Sequence, residues 1–427
     1  MVNRSLPDGW EWKTLEDVLD SDGVFIDGDW VESKDQDPEG EIRLIQLADV
    51  GDGYYRNRSN RFLTHEKALE LGCTFLEKGD LLIARMPDPL GRACIFPGDK
   101  KQSVTVVDVC IVRTKNAEHR WLMHAINSPQ FRADVESLQS GSTRKRISRK
   151  NLAKLKLPFP PLPEQERIVS RIEELFSDLE AGVAALERVR AGLRRYKASV
   201  LKAAVSGALT PHPSPAGRGD GGEGELPEGW RWVSVGDVAE VKGGKRLPAK
   251  HTYSDEPTEY PYIRVTDFEN GTINTENLKY LKEETQEQIS RYTISTEDVY
   301  ISIAGTIGVT GVIPEILNGA NLTENAAKIC NLKDILPKYL HFALASPSGQ
   351  ATIAEKTIST NQPKLALFRI QQIPVPLPPL EEQRRIVAEV ERRLSVVREV
   401  ESAVEAGLAR ASRLRQAVLR SAFEGKL

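Results

Sequence analysis

The sequence predicts an α+β protein in which two globular domains are separated by a pair of long antiparallel coiled-coil helices, the whole forming a pseudo-twofold internal repeat. Three observations predict it. Blocks of sequence recur at offsets of 218–220 residues, two stretches carry apolar residues at coiled-coil spacing, and short β-type runs alternate with short helical patterns elsewhere.

The repeat organises everything else. Leu6-Pro7-Asp8-Gly9-Trp10-Glu11-Trp12 returns 220 positions later as Leu226-Pro227-Glu228-Gly229-Trp230-Arg231-Trp232, and each copy leads into an Asp-Val pair, Asp17-Val18 and Asp237-Val238. Pro161-Leu162-Pro163-Glu164-Gln165 answers to Pro379-Leu380-Glu381-Glu382-Gln383, and both continue into Arg-Ile-Val. Val200-Leu201-Lys202 through Leu209 matches Val418-Leu419-Arg420 through Leu427. Between these anchors Asp49 and Gly53 align with Asp267 and Gly271, Asp80 with Asp298, and Ser128-Pro129 with Ser346-Pro347. The expected divisions are a first globular domain over 1–157, a first long helix over 158–209, a flexible linker over 210–225, a second domain over 226–376 and a second helix over 377–427. The linker assignment follows from TPHPSPAGRGDGGEGE, rich in proline and glycine and poor in apolar residues.

Each domain mixes strand and helix signals. Leu81-Leu82-Ile83-Ala84, Val299-Tyr300-Ile301-Ser302 and the β-branched run Val104–Val112 predict strands, whereas Trp121–Ile126 and Lys338–Ala345 predict helices. The prolines of 158–163 delay the first long helix, after which Glu164 and Glu166 suit the positive end of its dipole. From Ile168 the apolar positions step by four and three through Ile172, Leu175, Leu179, Gly182 and Leu186, and on through Val189, Leu193 and Tyr196 to Val200. The second copy runs from Ile386 through Val390, Arg393 and Val397 to Gly407, Ala411, Leu414 and Val418. This is a coiled-coil period. Such a helix of ~44 residues spans roughly 65 Å. Gly182 and Gly407 hold equivalent seam positions, which predicts close approach or local weakness at both. Arg393 is the one charged intrusion.

Composition narrows the function classes. No run approaches the ~20 apolar residues needed to cross a bilayer, and Met1–Trp10 lacks a secretion signal. The four cysteines, Cys73, Cys94, Cys110 and Cys330, are scattered without metal-ligand spacing. A cytoplasmic protein without disulfides is expected. The formal charge of −3 is neutral evidence about nucleic acid, because local basic patches decide that question.

Two variable domains, each opened by L-P-x-G-W-x-W and closed by a P-x-P-P-L-x-E-Q-x-R-I-V helix, resemble the specificity subunit of type I restriction–modification systems, and the resemblance covers essentially the whole chain. It implies that each domain is a target-recognition domain reading one half of a bipartite DNA site, and that the paired helices set the spacing between halves. It implies two docked modification (methyltransferase) subunits and further restriction (translocase/nuclease) subunits. S-adenosylmethionine, ATP and Mg²⁺ would then be held by those partners, with no cofactor or catalytic centre in this chain. Since the two domains differ in sequence, the target is expected to be asymmetric. Half-sites about one turn apart, ~34 Å, suit two heads on one face of a duplex.

The richest candidate contact in the first domain is Ser142-Thr143-Arg144-Lys145-Arg146, continued by Arg149 and Lys150, where hydroxyls alternate with cations. In family terms Gly141-Ser142-Thr143 and Ile147 fit a G-S/T-x-x-x-x-I loop that approaches DNA. A solvated loop ahead of the last strand is the plainer alternative. The equivalent piece of the second domain, with Thr360, Asn361, Gln362 and Lys364, keeps the amides that read adenine. Lys242-Gly243-Gly244-Lys245-Arg246 combines cations with glycines that admit a close backbone. The loop holding Arg85 and Arg92 corresponds to the one holding Thr306 between Gly305 and Gly308; turn geometry alone would also explain those glycines. Trp10/Trp12 and Trp230/Trp232 are expected to pack against their own domains.

Catalytic signatures are superficial. Pro87-Asp88 followed by Asp99-Lys100-Lys101 matches a PD…D-x-K pattern, but Pro97-Gly98-Asp99-Lys100 suggests a hairpin turn, and the second domain lacks the pattern. No phosphate loop, no methyltransferase amine-binding motif and no H-E-x-x-H is present. The competing expectations are a coiled-coil scaffold that binds protein and a stand-alone endonuclease; the basic hydroxyl-rich loops favour neither.

Overall fold

The computed structural model describes residues 6–87, 89–141, 145–209, 226–357 and 363–427. Asp88, Ser142, Thr143, Arg144, Thr360, Asn361, Gln362 and the expected linker over 210–225 lie outside them. Two units result, the first made of residues 1–187 and 405–427 and the second of 188–404.

The first unit contains strands β1 (Glu11–Thr14), β2 (Val24–Asp27), β3 (Ile42–Ile45), β4 (Phe62–Leu63), β5 (Leu81–Ala84), β6 (Ala93–Ile95), β7 (Ser103–Thr105), β8 (Val109–Arg113) and β9 (Lys156–Phe159). Its helices are α1 (His65–Glu70), α2 (His119–Ile126), α3 (Pro129–Ser137) and α4 (Arg149–Ala153), together with the first half of α5 (Leu162–Val205). Strands β2, β8, β5 and β6 form an antiparallel sheet in that order; a smaller sheet, β4-β3-β7, has β3 and β7 parallel. The second unit contains β10 (Arg231–Ser234), α6 (Val235–Val238), β11 (Glu240–Gly243), β12 (Pro261–Ile263), β13 (Phe268–Glu269), β14 (Thr272–Ile273), β15 (Lys279–Tyr280), α7 (Glu283–Ile289) and β16 (Thr293–Ile294). It continues with β17 (Val299–Ser302), β18 (Thr310–Val312), β19 (Ala320–Leu322), β20 (Ala326–Cys330), α8 (Pro337–Ala345), α9 (Pro347–Lys356), α10 (Leu367–Gln371), β21 (Pro374–Leu377) and α11 (Leu380–Ala422). It repeats both sheets, as β11-β20-β17-β18 and as β15-β12-β19-β16 with β12 and β19 parallel, and adds the hairpin β13-β14.

The matched blocks acquire physical reasons. The opening and closing blocks of each repeat pair with one another: β1 with β9, Trp12 opposite Pro158, and β10 with β21, Trp232 opposite Pro376. A two-stranded ribbon tolerates those prolines because each strand has one edge free of ladder bonds. Only the inner tryptophan of each pair packs as expected. Trp10 and Trp230 are buried, but Trp12 and Trp232 are 41% and 51% exposed, since strand alternation sends the second indole outward. The matched aspartates all close turns by accepting the N–H three residues earlier: Asp49 from Gln46 and Asp267 from Arg264, Asp80 from Glu77 and Asp298 from Ser295, Asp17 from Thr14 and Asp237 from Ser234. Ser128 and Ser346 cap α3 and α9, with the following proline at the first turn, where no N–H is needed.

The glutamine of each Glu-Gln junction fastens a long helix to its domain. Gln165 is fully buried; its amide donates to the Pro160 carbonyl at 2.9 Å and its oxygen accepts the Glu118 N–H at 2.9 Å, at the start of α2. Gln383 does the same with the Pro378 carbonyl and the Leu336 N–H at the start of α8. The far end of each helix enters the other repeat's core. Leu419, Ala422 and Phe423 of α11 join the first unit's core, the Phe423 ring edge-on to Trp121 at 5.8 Å. Val200, Leu201 and Ala204 of α5 join the second unit's core with Trp230 and Ile386.

Within the first unit the two helices run antiparallel: Leu186 lies against Gly407, Glu180 pairs with Arg415 at 3.5 Å, and the Arg415 guanidinium sits 4.0 Å from the Phe176 ring centre. The expected seam is buried along much of α11, where Val397, Val404 and Ala411 are covered, but is broken in the middle of α5. Ile168, Ile172, Val200, Ile386 and Val390 are buried, yet Val189, Tyr196 and Leu414 are 44%, 46% and 49% exposed. Apolar spacing cannot distinguish a buried knob from one that the partner helix fails to cover. Arg393 turns back along its own helix to Glu389 at 2.6 Å. The two seam glycines also differ: a Cβ on Gly407 would meet Leu186 Cδ1 at 3.0 Å, whereas one on Gly182 would meet nothing within 4 Å. Gly182→Ala should therefore raise stability by ~0.5–1 kcal/mol through helix propensity, and Gly407→Ala should gain less or lose. Thermal unfolding of the two variants checks this, and equal gains would contradict the packing.

Candidate nucleic-acid interface

In the first unit three expected elements converge. Ser140 and Arg146 form an antiparallel bridge, their backbone bonds 2.8 and 2.9 Å long, which closes the loop between them. The next residue, Ile147, is fully buried and donates its N–H to the Arg85 carbonyl at 3.1 Å, joining this loop to the β5–β6 loop. Lys145 and Arg146 are exposed, and Lys150 is exposed on α4, whose N-cap is Ser148. Arg146 faces Asp108 at 3.4 Å. Arg149 is half-buried, donating to the Phe25 carbonyl at 3.0 Å beside Asp27.

The second unit repeats the arrangement in the same register. Leu365 donates its N–H to the Ile303 carbonyl at 3.0 Å, and Lys364 bridges Ala304, so the segment around Lys364 meets the β17–β18 loop that carries Thr306. Residues 242–246 arrive at the same place: Gly244 donates to the Ala326 carbonyl at 3.0 Å, next to Asn325, which accepts the Ile303 N–H at 2.8 Å. Lys364 and Thr306 are exposed. The cations of 242–246 are largely answered by nearby groups. Lys242 pairs with Glu240 at 2.7 Å, which holds its ammonium above the ordinary lysine range, Arg246 pairs with Glu324 at 3.1 Å, and Lys245 lies over the Tyr292 ring.

Several expected contacts are internal instead. Arg85 is 5% exposed, with its guanidinium on the Val107 carbonyl at 2.6 Å and beside Asp27 at 3.2 Å. Arg92 is 3% exposed and directs donors to the carbonyls of Val50, Leu47, Met86 and Pro89. A guanidinium carries five donors in a rigid fork, and here that fork ties the loop after β3 to the β5–β6 loop. Gly244 is small because a Cβ would fall 2.1 Å from the Thr323 carbonyl oxygen. Gly243 only faces Leu367, at 3.6 Å from a would-be Cβ. Asp99 of the PD…D-x-K pattern pairs with Arg43 at 2.7 Å. Among the described residues no three metal-ligating side chains converge, and no helix is long and apolar enough to cross a membrane.

Sequence reasoning passed over two features that are exposed in whole or in part. Trp30, 70% exposed, follows the turn equivalent to Gly244-Lys245. Tyr54 and the arginines 56, 58 and 61 share one loop anchored on Asp49. The R-x-R-x-x-R spacing was the available signal for it.

The comparisons follow this geometry. A model of the type I restriction modification DNA specificity domain matches residues 7–188 and again 227–395. The EcoBI specificity subunit of Escherichia coli is 28% identical over 75% of this chain and 68% of its own length. The EcoKI specificity subunit, also of Escherichia coli, is 25% identical over 72% of this chain and 65% of its own length. Among solved structures, a chain from work on complex assembly and conformational transition of the type I R-M system superposes with a TM-score of 0.71 at 22% identity, covering 99% of this chain and all of that one. The HsdS subunit from Thermoanaerobacter tengcongensis gives 0.50 at 21% identity, over the whole of this chain and 99% of that one. At those identities the likeness concerns the fold.

The internal and external cations should separate cleanly in a stability measurement. Arg92→Met is expected to cost ~2–4 kcal/mol by stranding buried carbonyls, and Lys145→Ala or Lys150→Ala to stay within ~0.5 kcal/mol. Thermal unfolding reads both; an Arg92→Met protein as stable as the lysine variants would contradict the clasp.

Proposed function

The chain belongs to the type I restriction–modification DNA specificity family, matched twice along its length, and we propose that it reads a bipartite, asymmetric duplex target, one half-site per head. The observation that carries this is the pair of equivalent loop junctions, Ile147 to Arg85 in one unit and Leu365 to Ile303 in the other, built alike and lined differently. Ile147 and Leu365 make the same backbone bond in each head, which supports this reading. The loops' side chains differ: Lys145, Arg146 and Lys150 offer charge for phosphate and guanine, and the second head has Lys364 and Thr306 with Asn361 and Gln362 in its sequence. Like frames with unlike contents suit two unlike half-sites.

In this reading the helices α5 and α11 fix the spacing between half-sites, and the chain docks the methyltransferase and restriction subunits. Methyl transfer from S-adenosylmethionine, with extrusion of the target base, and ATP- and Mg²⁺-dependent translocation and cleavage belong to those subunits. The specificity subunit contributes the address and no chemistry of its own.

The test is to express the chain with its modification subunits and map methylated adenines across the host genome. A two-part consensus with a fixed gap is expected. Methylation without such a consensus, or a consensus unchanged when the second head is exchanged for another, would overturn the reading.

A further inference from the structure

We infer that the first head holds a second phosphate-binding element, the loop from Tyr54 to Arg61, which the second head lacks; the inference rests on the DNA-reading function proposed above. Asp49 is fully buried at its root. One carboxylate oxygen accepts the N–H groups of Arg58 and Ser59 at 2.6 and 2.8 Å, the other accepts the Gln46 N–H at 2.8 Å and the Ser59 hydroxyl, and the Asp49 carbonyl accepts the Arg56 N–H at 2.8 Å. Arg43 adds a bond to the Ser59 carbonyl at 3.0 Å. The backbone that carries the arginines is thus fixed before any ligand arrives.

The charge on this loop is not compensated as it is elsewhere in the head. Arg43, Arg85 and Arg113 each face a carboxylate, as do Arg120, Arg132, Arg146 and Arg149. Arg92 bonds to buried carbonyls. Arg56 is half-buried by the Tyr54 ring at 5.6 Å; among the described residues the exposed Arg61 side chain reaches only the neutral Gln36 oxygen, and the exposed Arg58 makes no ion pair. Three like charges on one rigid loop repel one another, and a run of anions at regular spacing relieves that repulsion. A solvated face would not need this anchoring.

Position and comparison agree with that ligand. The Arg92 guanidinium binds Leu47 and Val50 carbonyls at the loop's root and the Met86 carbonyl of the β5–β6 loop, which Ile147 joins to the loop of Lys145. Buried bonds therefore link the backbones of all three loops. In the second head Asp267 accepts the Arg264 N–H, and its carbonyl accepts the Asn274 N–H at 2.8 Å, two of the same bonds, while the other carboxylate oxygen takes the Arg264 guanidinium in place of loop N–H groups. The residues there, Asn274-Thr275-Glu276-Asn277-Leu278-Lys279, contain no arginine; Lys279 stands at the place of Arg61, Glu276 offsets it in formal charge, and Arg264 is bound back to Asp267 at 2.6 Å. The second head thus keeps part of the anchor and carries one cation beside one carboxylate where the first carries three arginines. The salt-sensitive share of affinity is accordingly concentrated on the first head.

The test titrates the full chain with a random-sequence duplex across a range of salt, for the native protein, for R58A/R61A and for R58K/R61K, with thermal unfolding as a check on folding. R58A/R61A should unfold normally and lower the slope of log affinity against log salt by about 2, one phosphate contact per arginine. R58K/R61K should restore the slope, because a phosphate contact needs charge. An unchanged slope in a folded R58A/R61A protein overturns the inference and leaves the DNA-reading function standing. Loss of assembly with the modification subunits at unchanged DNA affinity would make the loop a protein-docking surface and also overturn it. A native protein with no salt-dependent affinity for duplex DNA would instead refute the DNA-reading function.

Discussion

Leu419, Ala422 and Phe423 lie in the core of the first unit, and Val200, Leu201 and Ala204 in that of the second. Neither core is completed by its own repeat. The first contains the end of α11, which begins after the second domain, and the second contains the end of α5, which begins after the first. Burial of large apolar side chains is the main favourable term in folding, so the antiparallel register of the helices is set where their ends enter these cores. Val189 and Tyr196, exposed in the middle of α5, contribute little to that choice, whereas Val397 and Val404 of α11 are buried. Proline and glycine punctuate both ends: a Cβ on Gly207 would strike Pro227 at 2.4 Å, and one on Gly425 would strike Pro7 at 2.2 Å, so each helix stops against the block that opens the other repeat.

On this frame the heads are free to diverge in chemistry. The turns that hold the loops depend on buried aspartates and on backbone bonds common to both repeats. What the loops display does not affect those bonds. The first head presents Lys145 and Lys150, and the second presents Thr306 and Lys364 beside Lys242 and Arg246, which are answered by Glu240 and Glu324. Duplication followed by divergence at the tips yields two heads with unlike surfaces on one scaffold.

Much of this was legible in the residues. The duplication, the mixed αβ character and the positions of both long helices followed from blocks, alternation and period. The loops before Ile147 and Lys364 were picked for their cations, hydroxyls and amides, and Ser142–Arg144 and Thr360–Gln362 fall outside the described residues. What failed was direction. An arginine in a loop reads as a surface charge, yet Arg85 and Arg92 point inward because carbonyls left over from three loops need donors. Gly244 resembled a site for ligand approach and serves the approach of the chain's own backbone. The Arg56–Arg61 loop was missed because Asn and Ser between the arginines resemble ordinary solvated sequence; only the bonds to Asp49 show that it is held. Gly182 and Gly407 share a seam position in the sequence but not a neighbour.

Hydrogen exchange on a Phe423→Ala protein tests the exchanged helix ends most directly. If the end of α11 completes the first unit's core, amides of α2 and of the first half of α5 should lose protection while those of β17 and β20 keep theirs. Unchanged protection in α2, or an even loss across both units, would contradict the account.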